Sequence, residues 1–220
     1  MSQWKRIAHA TAGSGSPTTF DTGTLPTPAA GGHYKDLKVV LYLKHNADAS
    51  SDNTNIRLND DDNDNRYTWA ITDSFEHNSH GERVHADHQQ DYNYMRISNK
   101  DGHGAGSPWL YVFYITNHTG SGFGSHLLQG QGFTHYQSGK NPRFADASGT
   151  WQISSPITKI NLMTSGNSNY FQSDSSITVF AAEEPSGSNY PNLTNGTIFE
   201  ESDTGKHYMF DGTSTWNEIT

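Results

Sequence analysis

The chain has 220 residues, a formal net charge of −9 and no cysteine, so a disulfide framework and thiolate metal sites are excluded. Only 32% of its residues belong to the hydrophobic set and the mean hydropathy is −0.79, but 5 Trp, 11 Tyr and 10 Phe are spread along its length, which is not the composition of a disordered chain. No basic stripe tracks phosphates and no apolar run is long enough for a membrane helix, so nucleic acid and membrane insertion are not expected.

In chain order, a first short strand is expected around Trp4–Ala8, followed by the break Thr-Ala-Gly-Ser-Gly-Ser-Pro at 11–17. Leu37, Val39, Leu41 and Leu43 alternate with Lys38, Tyr42 and Lys44, the period of a half-buried strand. Ile56 with Leu58, and Tyr67 with Trp69 and Ile71, repeat the pattern. The run Trp109 to Ile115 is apolar at nearly every position, which predicts a strand buried on both faces. Trp151 with Ile153, Ile160 with Leu162, and Ile177 with Val179 continue the two-residue period. The residues are β-branched or aromatic, and Gly, Asn, Asp and Ser cluster between them. The expected fold is all-β, a jelly-roll-like antiparallel β-sandwich over residues 1–182 that includes the N-terminal strand.

A linker rich in Pro and Gly spans 183–195, and a small β-meander follows over 196–220, with strands at Thr197–Glu200, His207–Phe210 and Thr215–Glu218. From Glu183 onward the chain holds seven acidic residues and one basic, Lys206. So small a meander buries little by itself and is expected to pack on a neighbour.

Several clusters bear on chemistry. The run Asn59-Asp60-Asp61-Asp62-Asn63-Asp64-Asn65 offers the hard oxygen ligands that Ca²⁺ prefers, at Asp60, Asp61, Asp62 and Asp64. It lacks the sixth-position Gly and twelfth-position Glu of an EF-hand loop, which favours a solvated turn and no resident cofactor. His77, His80, His85 and His88 fall within one polar stretch, where a transition-metal site competes with an exposed loop. Gly120, Gly122 and Gly124 belong to no phosphate loop, because no Gly-Lys-Ser/Thr follows. No nucleophile elbow and no carboxylate pair in a cleft is legible, so no catalytic residue is named and no enzyme activity is expected. Tyr92, Tyr94, Trp109, Tyr111 and Tyr114 form a candidate sugar-stacking set, against core packing. With no start-proximal apolar run, the protein is expected to be made in a cytoplasm, and the sequons at Asn117, Asn192 and Asn195 are read as chance matches.

Two segments resemble known proteins. Tyr-Lys-Asp-Leu-Lys-Val-Val-Leu (34–41), Ile-Arg-Leu-Asn (56–59), Tyr-Thr-Trp (67–69), the strand Trp109–Asn117, Ile157–Ile160 and the segment Phe171 to Phe180 together resemble a β-rich domain of marine tailed-phage virion structural proteins. The segment Gly196-Thr197-Ile198-Phe199 through Phe210-Asp211-Gly212-Thr213 to Trp216 looks like a short C-terminal motif of phage virion and tail-associated proteins. The resemblance implies a non-enzymatic structural protein on the virion surface, synthesised in the host cytoplasm. Capsid decoration (cement) and a tail-appendage component both fit, and the partners would be capsid or tail proteins. Fold analogy points to a homo-oligomer, a trimer by preference. Inter-subunit contacts are expected at Trp4, Phe199, Tyr208, Phe210 and Trp216. The alternatives are a carbohydrate-binding module for host attachment and, behind it, a polysaccharide depolymerase.

Overall fold

A computed structural model describes residues 4–15, 17–28, 34–45, 53–76, 82–98, 108–116, 126–135, 142–164, 170–182, 195–201, 204–212 and 215–219. The chain divides into two compact units at Ala182/Glu183. Among the described residues every regular element is a strand.

The larger unit contains β1 (Trp4–Thr11), β2 (Thr19–Asp21), β3 (Asp36–Leu43), β4 (Thr54–Leu58), β5 (Tyr67–Glu76) and β6 (Glu82–Tyr92). It continues with β7 (Met95–Arg96), β8 (Trp109–Thr116), β9 (His126–His135), β10 (Pro142–Trp151), β11 (Ile160–Thr164) and β12 (Ser176–Ala182). They build an eight-stranded antiparallel sheet of order β1-β12-β3-β8-β9-β10-β5-β6 and a four-stranded sheet of order β2-β11-β4-β7. The chain alternates between the sheets, and its partners nest from the outside inward: β1 with β12, β2 with β11, β3 with β8, β4 with β7. This sandwich-like nesting is compatible with a jelly roll. The hairpins β5–β6 and β9–β10 widen only the first sheet.

Alternation decides which residues meet between the sheets. Leu37, Val39, Leu41 and Leu43 of β3 are buried, as are Ile56 and Leu58 of β4, Tyr67, Trp69 and Ile71 of β5, and Ile160 and Leu162 of β11. They join Ile177, Val179, Phe171 and Trp151 in one core.

On β8 the core side is an aromatic ladder. Trp109 stacks on Tyr111 at 5.2 Å between ring centroids, and Tyr111 on Phe113 at 5.7 Å. In register beside them on β9 stand Gly132, opposite Tyr111, and Gly130, opposite Phe113. A Cβ at Gly132 would lie 1.9 Å from the Tyr111 ring, and one at Gly130 would lie 2.3 Å from the Phe113 ring. The rings lie in the space that side chains on β9 would fill, so the glycines are a packing requirement.

The other side of β8 departs from expectation. Leu110 and Tyr114 are exposed, 47% and 51%, so this strand is buried on one face only. Its continuous apolar run reflects two different apolar faces, one core and one outward.

The smaller unit is described by β13 (Ile198–Glu201), β14 (Lys206–Phe210) and β15 (Trp216–Ile219), a three-stranded antiparallel meander. Gly205 and Gly212 take positive φ, +67° and +83°, in its turns.

Candidate interaction surfaces

The acidic run forms a tight, internally bonded turn. Asn59 and Asp60 both take left-handed backbone, with φ of 54° and 56°, and the Asp61 N–H donates to the Leu58 carbonyl at 2.9 Å. Two consecutive positive-φ residues define a turn that Asn and Asp tolerate best. The Asn59 Oδ1 accepts from the backbone N–H groups of Thr158 at 2.7 Å and Lys159 at 3.1 Å, while its Nδ2 donates to the Pro156 carbonyl at 2.8 Å. The turn is thereby tied to the segment leading into β11.

Asp60 accepts from Lys159 Nζ at 3.1 Å and Asn161 Nδ2 at 2.7 Å. The Lys159 hydrogen bond holds its carboxyl below the ordinary range. Lys159 also pairs with Asp21 at 3.1 Å, and its own pKa is raised by Asp21 and then Asp60. Burial pushes the Asp61 carboxyl up, but hydrogen bonds from Trp151 Nε1, at 2.8 Å, and from Asn63 outweigh it and keep it low. Asp60 and Asp61 thus spend oxygens on protein donors, while Asp62 and Asp64 are exposed. Among the described residues, no three or more His, Asp or Glu side chains are gathered where an ion could be held.

The histidine stretch is no single loop. His85 and His88 belong to β6, paired with β5 opposite Asp73 and Ala70, because β6 needs only hydrogen-bonding capacity as an edge strand. His77 and His80 lie outside the described residues, as do Asn117, Asn192 and the glycines at 120, 122 and 124. Two other histidines are buried. His45 packs against the Phe171 ring at 5.2 Å and its Nε2 lies 3.2 Å from Thr54 Oγ1; burial lowers its pKa to about 4. His126 is 0% exposed and sets Nδ1 3.2 Å from the Thr116 carbonyl oxygen and Nε2 2.9 Å from that of Ser155. Polarity masked both as core residues.

The five candidate sugar-stacking aromatics do not share a groove. Trp109 and Tyr111 are buried in the ladder, and Tyr114 stands on the outward face of the same strand. Tyr92 and Tyr94 are half-buried and pack edge to face at 5.1 Å near the β6–β7 turn.

The meander holds four of the five expected interface residues. Ile198 is 60% exposed, Phe199 53%, Met209 39% and Trp216 38%. Phe199 meets Trp216 edge-on at 6.0 Å. Tyr208 is half-buried beside Phe199. Phe210 is a correction: it is buried, because Trp216 is its register partner and lies 5.2 Å away. It anchors the meander instead of displaying itself. Lys206 bonds Glu218 at 3.1 Å across β14 and β15, which raises the lysine pKa. Trp4, the fifth, is 40% exposed on β1 and packs edge-on to Tyr114 at 6.0 Å. No family model, no curated protein and no solved structure matches the chain.

Proposed function

We propose that the protein is a non-enzymatic structural component of a tailed-phage particle, a capsid decoration protein or a tail-appendage component that works through protein–protein contacts. The observation that carries this reading is the C-terminal meander. The segment that resembles the phage motif is a discrete sheet with apolar side chains more than a third exposed on both faces, Phe199 and Trp216 on one and Ile198 and Met209 on the other. A three-stranded sheet needs a covered apolar face to be independently stable, and aromatic side chains with a polar rim are the usual composition of a protein interface. The carbohydrate-binding alternative receives no comparable support, since its aromatics are dispersed.

The test is incorporation into particles. Phage made with Phe199→Ser and Trp216→Ser in the full chain should carry far less of this protein, by immunogold labelling and by gel analysis of purified virions. Absence of the unaltered protein from virions, or normal copy number of the variant, would overturn the proposal.

A further inference from the structure

The outward face of the eight-stranded sheet carries a row of side chains in direct register: Tyr42 on β3, Leu110 on β8, Phe133 on β9 and Phe144 on β10. Leu110, Phe133 and Phe144 are 47%, 55% and 41% exposed. The next row down begins with Val40 and Val112. Beyond it lies a second apolar group, in which Trp4 packs on Tyr114 and Lys38 lies 5.9 Å over the same ring. Antiparallel sheets that face water on one side place polar residues there. Leu110, Tyr114, Leu127, Phe133 and Phe144 break that rule on three adjacent strands.

We infer that this face is a self-association surface, and that its occupant is the same face of a second copy of this chain. Size is the first ground. The strands from β12 to β5 span about 29 Å across by about 27 Å along, at the ordinary strand spacing and rise. That is about 800 Å² per copy, the contribution each partner makes to a stable interface of standard size.

Charge is the second ground. The outward positions of β12, β3, β8, β9, β10 and of β5 as far as Thr72 include only Asp36, Lys38 and Asp146 as charged residues, a net of one negative charge on a chain of −9. Two acidic chains therefore meet here with little repulsion. The face is also complementary to itself. A two-fold axis along the strands between β8 and β9 sets Leu110 opposite Phe133 and Tyr42 opposite Phe144. It also brings Lys38 within one residue pair of the other copy's Asp146. Along the axis itself Gln131 and Gln129 come opposite the other copy's Val112 and Tyr114, so apolar pairs and amides share the centre and paired charges lie at the side, the self-matching pattern of an isologous interface. This inference does not need the virion reading, because it concerns the isolated chain.

The experiment is sedimentation velocity and light scattering on the full chain, from about 1 to about 100 µM, where interfaces of this size associate. The expected result is the mass of a dimer of 24.3 kDa chains. Phe133→Lys and Leu110→Ser, each at an exposed position, should both give the monomer with an unchanged far-UV spectrum. Ser154→Lys, exposed outside the strands, should leave the oligomer intact. A monomeric unaltered chain at every concentration would overturn the inference, as would an oligomer that survives both substitutions.

Discussion

The two units differ in how they use aromatic residues. In the larger one Trp109, Tyr111 and Phe113 form a buried ladder whose neighbours on β9 are cut back to glycine. In the smaller one Phe199 and Trp216 meet each other but stay exposed, and among its described residues only Phe210 is buried. The same residue type thus fixes internal register in one unit and presents surface in the other. What separates them is the number of strands: eight strands facing four bury a ring completely, whereas three strands bury one at most.

That contrast can be broken first through pH. His45 has a folded pKa of about 4 against an ordinary value of 6.5. The neutral form is the one the fold accommodates, so its contribution is fully present above pH 6.5 and is lost as pH falls toward 4. Denaturant unfolding of the larger unit should lose about 3 kcal/mol over that window. His45→Phe should flatten this part of the profile, and the meander, which lacks such a residue among its described positions, should show no matching loss.

The seam between ladder and glycines is the next point of attack. Gly132→Ala should cost up to about 3 kcal/mol in urea unfolding, since the added methyl collides with the Tyr111 ring. Combining it with Tyr111→Leu should recover part of the loss relative to the two single changes added together. Simple additivity would show that the glycine is there for another reason.

A smaller effect is expected at the turn. Asn59→Ala removes the side-chain bonds to Pro156, Thr158 and Lys159 and strains a positive φ, and should cost about 2 kcal/mol. Asn59→Gly keeps the backbone geometry and should cost about half as much. Equal losses would mean that backbone strain contributes nothing. Smallest in its reach, Phe210→Ala should speed hydrogen exchange in β13–β15 while shifting the larger unit's unfolding by no more than about 0.5 kcal/mol. A shift of the whole transition would show that the two units unfold together.

The sequence made β3, β4, β5, β11 and β12 legible because their core positions carry Leu, Ile, Val or Trp in strict alternation. The meander was legible through its turn residues. It hid β9, since Gly130 and Gly132 occupy core positions and the apolar matter above them belongs to Tyr111 and Phe113 on another strand. It hid β6 because polar residues suffice at a sheet edge. It misdirected on β8, where an apolar run on both faces read as double burial although one face is turned outward. The acidic run was legible as a turn that also offers ion ligands, but composition cannot show that Lys159, Asn161 and Trp151, about a hundred residues away, donate to Asp60 and Asp61.

The glycine pair on β9 also bears on how the first sheet finds its alignment. If β9 slid by one residue against β8, Gln131 and Gln129, or in the other direction Phe133 and Gln131, would be driven beneath the Tyr111 and Phe113 rings. A slip by two would bring Leu128 or Thr134 under one of them. Each misalignment puts bulk where there is room for none. Two residues with no side chain therefore act as a proofreading notch, admitting a single pairing of the central strands and rejecting its neighbours on both sides.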